Sequence, residues 1–445
     1  MIILTAESVG QKGEGIARYQ GMPVFVPGLL PGESASVEIT ERRSSYARGT
    51  ITNLLSSSED RRQAFCPVFG SCGGCHLQHW DYHAGLSWKR DYLKSLFRHQ
   101  GHLDVEVSPV IPSPVLHGVR NKVQLPLEVR NNRVASGFYA PRSHNLIPID
   151  NCPMQSDLAN EAMQQLLCLF GESAARDSMV EKYKHMLRHL ILRSNCDDNQ
   201  IQVIVVIDGD YLPGEEVLSQ RLADMLPELS GFIINQNRLK GNRILNGELR
   251  TVWGSSIMRD RIGKFRFNIS PGSFFQTNRF LSETLYTTAL DQANLMSEET
   301  VAELFCGVGT ISVFIAERVK AVLSVEDNPV ALSEARSNAM LNQMTNIRCL
   351  PGAAETVLPA LLRDGFLPDT ILVDPPRSGC APELLQAVIE ADITKLEYIS
   401  CNSATLVRDA VILNAAGYKM SSVQPIDMFP WTEHLESCCC FSRQY

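Results

Sequence analysis

Cys401 lies in YISCNSATLVRD, Tyr398 to Asp409, between an apolar run ending at Tyr398-Ile399 and a helical pattern from Ala404 to Leu413. The thiol therefore sits on a tight Ser-Cys-Asn-Ser turn at the carboxyl end of a strand, where open α/β sheets carry their chemistry. A thiol just ahead of a helix N-terminus feels partial positive charge, which favours the nucleophilic thiolate. A lone cysteine reads as a small buried residue. Three other stretches raise the weight of this one: FCGVGT at 305–310, VDPPRSG at 373–379 and FPWTEHLE at 429–436.

The second chemical feature is CPVFGSCGGC, Cys66 to Cys75, a C-x5-C-x2-C loop with glycines at 70, 73 and 74. Three thiolates need a fourth partner, and Cys152, beside Pro153 in a loop, is the best candidate. Thiolate cages suit zinc or an iron–sulfur cluster. One three-cysteine loop plus a distant fourth favours [4Fe-4S], whereas zinc more often takes paired C-x2-C hooks.

The elements that must position these residues are legible in three blocks. Residues 1–56 alternate short apolar runs with Gly and Pro, the rhythm of a small β-barrel, and Arg42, Arg43, Tyr46 and Arg48 suit an OB-type RNA-binding surface. Residues 57–268 read as a mixed α and β central domain with helical periodicity at Asp91–Gln100 and Leu158–Phe170 and buried strands at Gln202–Ile207 and Leu229–Ile234. Residues 269–445 alternate β and α, the signature of a parallel sheet. There the strand Val301–Phe305 leads into a glycine turn and a helix over Ile311–Arg318. The strand Val322–Val325 ends at Glu326, about 20 residues past that turn, where an acid meets ribose hydroxyls. Two prolines lock Asp374 and Arg377 in the loop after the strand Thr370–Val373. Gln276 in SPGSFFQTN can read a polar ligand edge, and the last stretch reads as a closing hairpin carrying His434 and Glu436.

At 445 residues the chain is long enough for about three domains. It has no apolar run able to span a bilayer and no signal-peptide layout, so a cytoplasmic protein without a membrane partner is expected. Thirteen irregularly spaced cysteines argue against a disulfide framework. No obligate protein partner is evident. The net charge of −8 excludes a uniformly basic nucleic-acid binder, but residues 267–445 carry −10 and residues 1–266 carry +2. Basic clusters at Arg238–Arg266 and Lys182–Arg193 read either as a grip on a polyanion or as solvated faces.

These motifs together resemble the RNA uridine-C5 methyltransferase family, over essentially the whole length. The resemblance rests on G-E-G-I-A-R in the barrel, the loop cysteines, S-F-F-Q-T-N, L-F-C-G-V-G-T, D-P-P-R, S-C-N and the terminal D-M-F-P-x-T-x-H-x-E. Within the family it points to the branch with an N-terminal TRAM domain and a [4Fe-4S] cluster that modifies 23S ribosomal RNA. It implies an OB-like TRAM barrel, a central domain with the cluster loop, and a Rossmann-like class I methyltransferase domain. It assigns Cys401 as nucleophile, Glu436 as base, and Gln276, Phe305, Thr310, Glu326 and Asp374 to S-adenosylmethionine. Cys66, Cys72, Cys75 and Cys152 would ligate the cluster.

Departures are Ser403 in place of a common Pro, Glu303 in place of Asp, missing prolines before Cys66, and the CCCF tail. None removes a chemical group. Two alternatives stand: a tRNA uridine-C5 methyltransferase, and a non-catalytic RNA-binding or ribosome-assembly factor. Arg377, where amino-group methyltransferases carry an aromatic, argues against N-methylation.

Overall fold

Burial alternates along Glu14–Tyr19, Met22–Pro27 and Ser34–Arg42, so one face of each strand must find a core. In the computed structural model, which describes residues 1–445 except Ala175, Arg176, Lys240, Asn242, Gln444 and Tyr445, they do so in a six-stranded sheet. Its order is Ile2–Thr5, Ser34–Arg42, Ala47–Ser56, Met22–Pro27, Glu14–Tyr19 and Ser8–Val9. Leu4, Val24, Val26, Ala35 and Val37 fill its interior.

The central sheet has seven strands, in the order Glu248–Gly254, Leu229–Gln236, Ile201–Ile207, Leu187–Ser194, Lys122–Arg130, Arg133–Tyr139 and Leu146–Pro148. Ile201–Ile207 is buried at every position, because the helix Asp157–Ala174 covers one face and Ile191, Ile204 and Ile233 pack on the other. Both strands expected there from apolar runs are present.

The third sheet runs Ile347–Pro351, Ala321–Glu326, Thr300–Leu304, Thr370–Val373, Lys395–Ser400, Glu436–Arg443 and Tyr418–Met420, with Gln424–Ile426 also paired to Glu436–Arg443. The first five strands are parallel, and Glu436–Arg443 joins them antiparallel. Thr300–Leu304 lies between Ala321–Glu326 and Thr370–Val373, so the strand order reverses beside its glycine turn, where doubly wound sheets bind ligands. The three tail cysteines, Cys438, Cys439 and Cys440, are buried in the antiparallel strand as small core residues.

Packing moves two segments across the expected boundaries. The helix Tyr82–His99, read as part of the central domain, buries Leu93, Leu96 and Phe97 in one core with Leu384, Leu406, Leu413 and Phe441. Bridges Val107↔Val423 and Ile111↔Ile426 continue that docking. The hairpin Met258–Ile262/Phe265–Ile269 likewise packs on the catalytic sheet, Phe265 meeting Phe314 edge-on at 4.8 Å. Apolar faces go where a partner face exists, which periodicity along the chain does not reveal. Among the described residues no helix is long and apolar enough to cross a membrane.

Candidate active site

Strand register brings the acting residues together. Ser400 pairs with Ser437 across antiparallel strands, so Cys401, one residue on, and Glu436, one residue back, fall opposite each other. Val373 is in register with Tyr398 and with Leu304, so Asp374 and Phe305 leave the same edge of the sheet. Phe305 adopts φ +65°, a left-handed conformation costly for an aromatic residue and typical of ligand sites.

The Cys401 turn is held from both sides. Ser400 Oγ donates to the Asn402 carbonyl (3.1 Å), and Asn402 Nδ2 donates to the Arg377 carbonyl (2.8 Å). Asn402 also caps the helix Ser403–Ala415, its Oδ1 accepting from the Ala404 N–H at 3.1 Å. Ser403 is therefore the first helical residue, the position where Pro is tolerated but not needed. Tyr398 OH and the Cys380 N–H both donate to Asp409, which is buried under the turn.

The electrostatics oppose the low-pKa thiol expected from the helix N-terminus. Burial pushes the Cys401 thiol up to about 11, Glu436 and Asp374 push the same way, and Arg377 partly offsets them. Burial also holds Glu436 well above the carboxylate range, with Asp374 adding to it. Asp374 is raised to about 7 by burial. Burial thus disfavours the charged forms of Cys401, Glu436 and Asp374 in the resting site. The rival thiol Cys306 is packed among Leu332, Ala335 and Cys349, and burial raises it well above 9.

The glycine turn is shaped for a ligand. Glu326 accepts the Gly307 N–H through Oε2 and the Asn328 N–H through Oε1, both at 2.9 Å. Gly307 has φ +56°, and a Cβ there would meet nothing within 4 Å, so the backbone faces open space. Thr310 is buried, its hydroxyl 3.0 Å from Tyr286 OH. Gln276 is buried in the loop after Ile269. Glu303, with its extra methylene, points instead into the core toward Ser312 and Ser324.

A family model described as tRNA (Uracil-5-)-methyltransferase matches residues 81–444, and a TRAM domain model matches residues 2–52. The chain belongs to the RNA uracil-C5 methyltransferase family. An uncharacterized RNA methyltransferase of Halalkalibacterium halodurans is 37% identical over 438 residues, covering 98% of this chain and 96% of that one. One from Clostridium tetani is 37% identical over 429 residues, covering 96% and 93%. The Pyrococcus abyssi tRNA (uracil-54, C5)-methyltransferase, solved with S-adenosyl-L-homocysteine, superposes with a TM-score of 0.78 at 25% identity over 98% of both chains.

The methyltransferase positions its two working loops through residues the sequence did not single out. Lys89, buried on the helix Tyr82–His99, donates to Asp427 Oδ1 (2.5 Å), the His434 carbonyl (2.9 Å) and the Phe429 carbonyl (3.4 Å). Tyr82 OH donates to Asp427 Oδ2 at 2.8 Å. This clamp fixes the loop between Asp427 and Glu436. On the cofactor side, the buried Arg193 guanidinium donates to the carbonyls of Ser270 (3.0 Å) and Ser273 (2.7 Å), and Asn121 Nδ2 to that of Gln276 (2.9 Å). Only Asp427, inside D-M-F-P, and Arg193, at the end of a basic cluster, carried any sequence signal.

Cys66, Cys72, Cys75 and Cys152 all line one pocket, walled also by Phe69, Phe138, Ile149 and Met154. Among the described residues no three His, Cys, Asp or Glu side chains converge tightly enough to hold a single metal ion. Burial raises Cys72, Cys75 and Cys152; other thiols of the set add to each shift, and Arg120 opposes it. The Gly74 N–H donates to Cys72 Sγ at 3.3 Å. An apolar wall, a nearby cation and an N–H···S contact fit a thiolate-ligated cluster. The pocket is stitched to both working loops. Next to Cys75, the His76 and Leu77 N–H groups donate to the Trp431 carbonyl, and His76 pairs with Glu433 at 2.7 Å. Next to Cys152, the Pro153 and Met154 carbonyls accept from Gly118 and Arg120, and the Asn121 N–H donates to Thr277.

Part of each basic cluster is engaged by neighbouring carboxylates, mostly in exposed surface pairs. Arg238, Arg250, Arg261 and Lys264 pair with Asp210, Glu215, Asp197 and Glu317; Lys240 lies outside the described residues. In the second cluster Arg193 is buried, and Lys184 and His185 meet Glu181. On the barrel, Arg43 and Arg48 pair with Glu41 and Glu14.

Proposed function

We propose that this enzyme methylates C5 of a uridine in 23S ribosomal RNA, with Cys401 as nucleophile and Glu436 as base. The observation that carries the reading is the ladder that sets Cys401 opposite Glu436 at the edge where Asp374 emerges. C5 of uracil is a poor nucleophile. Addition of the Cys401 sulfur at C6 converts the ring to an enolate with carbanion character at C5. Gln276, Phe305, Thr310, Glu326 and Asp374 would hold S-adenosylmethionine, which would supply the electrophilic methyl group. The protons on the Cys401 thiol and the Glu436 carboxyl must first leave to solvent; the Glu436 carboxylate then takes the C5 proton as the C6–sulfur bond breaks and the Cys401 thiolate departs. A raised carboxyl pKa suits this step, because a stronger base is left once the proton has gone. Since C6 is hidden in a stacked helix, the uridine must be unstacked or flipped out.

The barrel supports an RNA rather than a nucleotide substrate, and we place the reaction in the cytoplasm, where unpaired cysteines persist. A tRNA substrate is the second reading. The Pyrococcus tRNA enzyme covers 98% of this chain, so an N-terminal barrel does not by itself separate ribosomal from transfer RNA substrates. Mapping 5-methyluridine in total RNA with and without the protein tests both. A missing site in 23S RNA supports the first reading, one in tRNA the second, and none the non-catalytic alternative.

We also infer that the four-thiol pocket holds a [4Fe-4S] cluster. Protein purified without oxygen should be brown and carry about four irons. Serine at Cys66, Cys72, Cys75 or Cys152 should bleach it. Metal analysis returning one zinc and no iron would end this claim.

A further inference from the structure

The cleft that exposes Cys401 is not built from the catalytic domain alone. It is lined also by Gln11 and Lys12 from the barrel, by Tyr92, and by Arg377, Glu433 and His434. The barrel turn is docked there firmly. The Gly10 N–H donates to the Glu14 carbonyl (2.8 Å), and Gly13, at φ +74°, sits so close that a Cβ would lie 2.8 Å from Leu77 Cδ2. The Leu77 N–H donates in turn to the Trp431 carbonyl at 3.1 Å, and Trp88 Nε1 donates to the Val9 carbonyl at 3.3 Å. Barrel tip and catalytic loop thus share one support.

Two cations line this cleft without an ion-pair partner among the described residues. Lys12 and Arg377 are exposed, and neither makes an ion pair among the described residues. Elsewhere on the barrel Arg18, Arg43 and Arg48 are paired with carboxylates. The one clearly held acid in the cleft, Glu433, is engaged by His76. The residues assigned to the cofactor do not line this opening. Uracil itself is neutral. The anionic groups nearest a uracil ring seated on Cys401 are the phosphates on either side of its ribose, and cations contact phosphates irrespective of base.

We propose that Lys12, together with Arg377, holds a phosphate flanking the target uridine, so that the barrel tip positions the reacting nucleotide. This rests on the uridine-C5 reading of the site. It gives the barrel a part in the chemistry separate from any general affinity for RNA.

The test uses 5-fluorouridine-substituted transcripts of 23S RNA and tRNA, in which the C5 substituent cannot leave as a proton and the Cys401 adduct accumulates. Lys12→Met should slow adduct formation about tenfold at moderate salt and reduce the salt slope by about 0.7, the signature of one lost phosphate contact on single-stranded RNA. Lys12→Arg should restore both. Arg18→Met, on the barrel but outside the cleft and paired with Glu7, should change neither, and S-adenosylhomocysteine affinity should stay constant throughout. An unchanged adduct rate in Lys12→Met overturns the proposal alone. So does a slow rate with an unaltered salt slope and no rescue by arginine, since that marks a structural role. A wild-type protein that traps neither transcript overturns the uridine-C5 reading, and this proposal with it.

Discussion

Cys401→Ala is expected to lose methyl transfer by roughly 10⁴- to 10⁶-fold, the range seen when a covalent nucleophile is removed. No denaturation-resistant RNA adduct should form, because without addition at C6 the carbon at C5 stays unreactive. Glu436→Gln should fail at a different point. Addition and methylation precede proton abstraction, so this variant should accumulate bound to methylated RNA, visible on a denaturing gel as a shifted band carrying the methyl label. The pH dependence has a definite sign. With its thiol pushed up to about 11, chiefly by burial, the free enzyme should alkylate at Cys401 faster as pH rises toward that value. An adduct formed by Cys401→Ala would move the nucleophile to another thiol. Normal turnover by Glu436→Gln would move the base, with His434, which lines the same cleft, next to be tested.

Lys89→Met is expected to cost about 3–5 kcal/mol of stability, because it leaves the Asp427 carboxylate buried without its cation. The double variant Lys89→Met/Asp427→Leu removes both charges and should recover most of that loss, since apolar replacements of buried pairs are often neutral. Activity should not recover with it. Lys89 also holds the His434 and Phe429 carbonyls, and hydrophobic side chains cannot replace those bonds. Urea denaturation together with methyl-transfer rates separates the two effects. A double variant with full activity would show that the clamp serves stability only.

How much of this was readable beforehand follows the range of the interactions. The strand-turn-helix around Cys401, the glycine turn and the strand ending at Glu326 all stand where local patterns put them. Asn402 and Asn328 cap the helices that follow them, a role that their residue type favours. Lys89 and Arg193 gave no such signal. Lys89 lay outside the helical stretch read at Asp91–Gln100 and Arg193 inside a basic cluster, and only the docking of distant segments buries them. The same blindness made the basic clusters look more available than they are, since the carboxylates that neutralise them come from far along the chain. The thiol pKa was misjudged for a related reason: the helix N-terminus is local, while the burial and acids that outweigh it are not.

The strand Glu436–Arg443 carries one further implication. Its middle is three identical side chains, Cys438, Cys439 and Cys440, paired with Ile399, Tyr398 and Glu397. Sliding the strand by one residue leaves cysteine facing two of those three partners, so this run hardly distinguishes the native alignment from its neighbour. The slip would nevertheless turn Glu436 to the opposite face, since side chains alternate along a strand. Alignment must therefore be enforced from outside the run, where Phe441 is buried against Leu396 and Met420, and Arg443 pairs with Tyr418. Mutations at those anchors, remote from the chemistry, are where a well-folded but silent enzyme would arise.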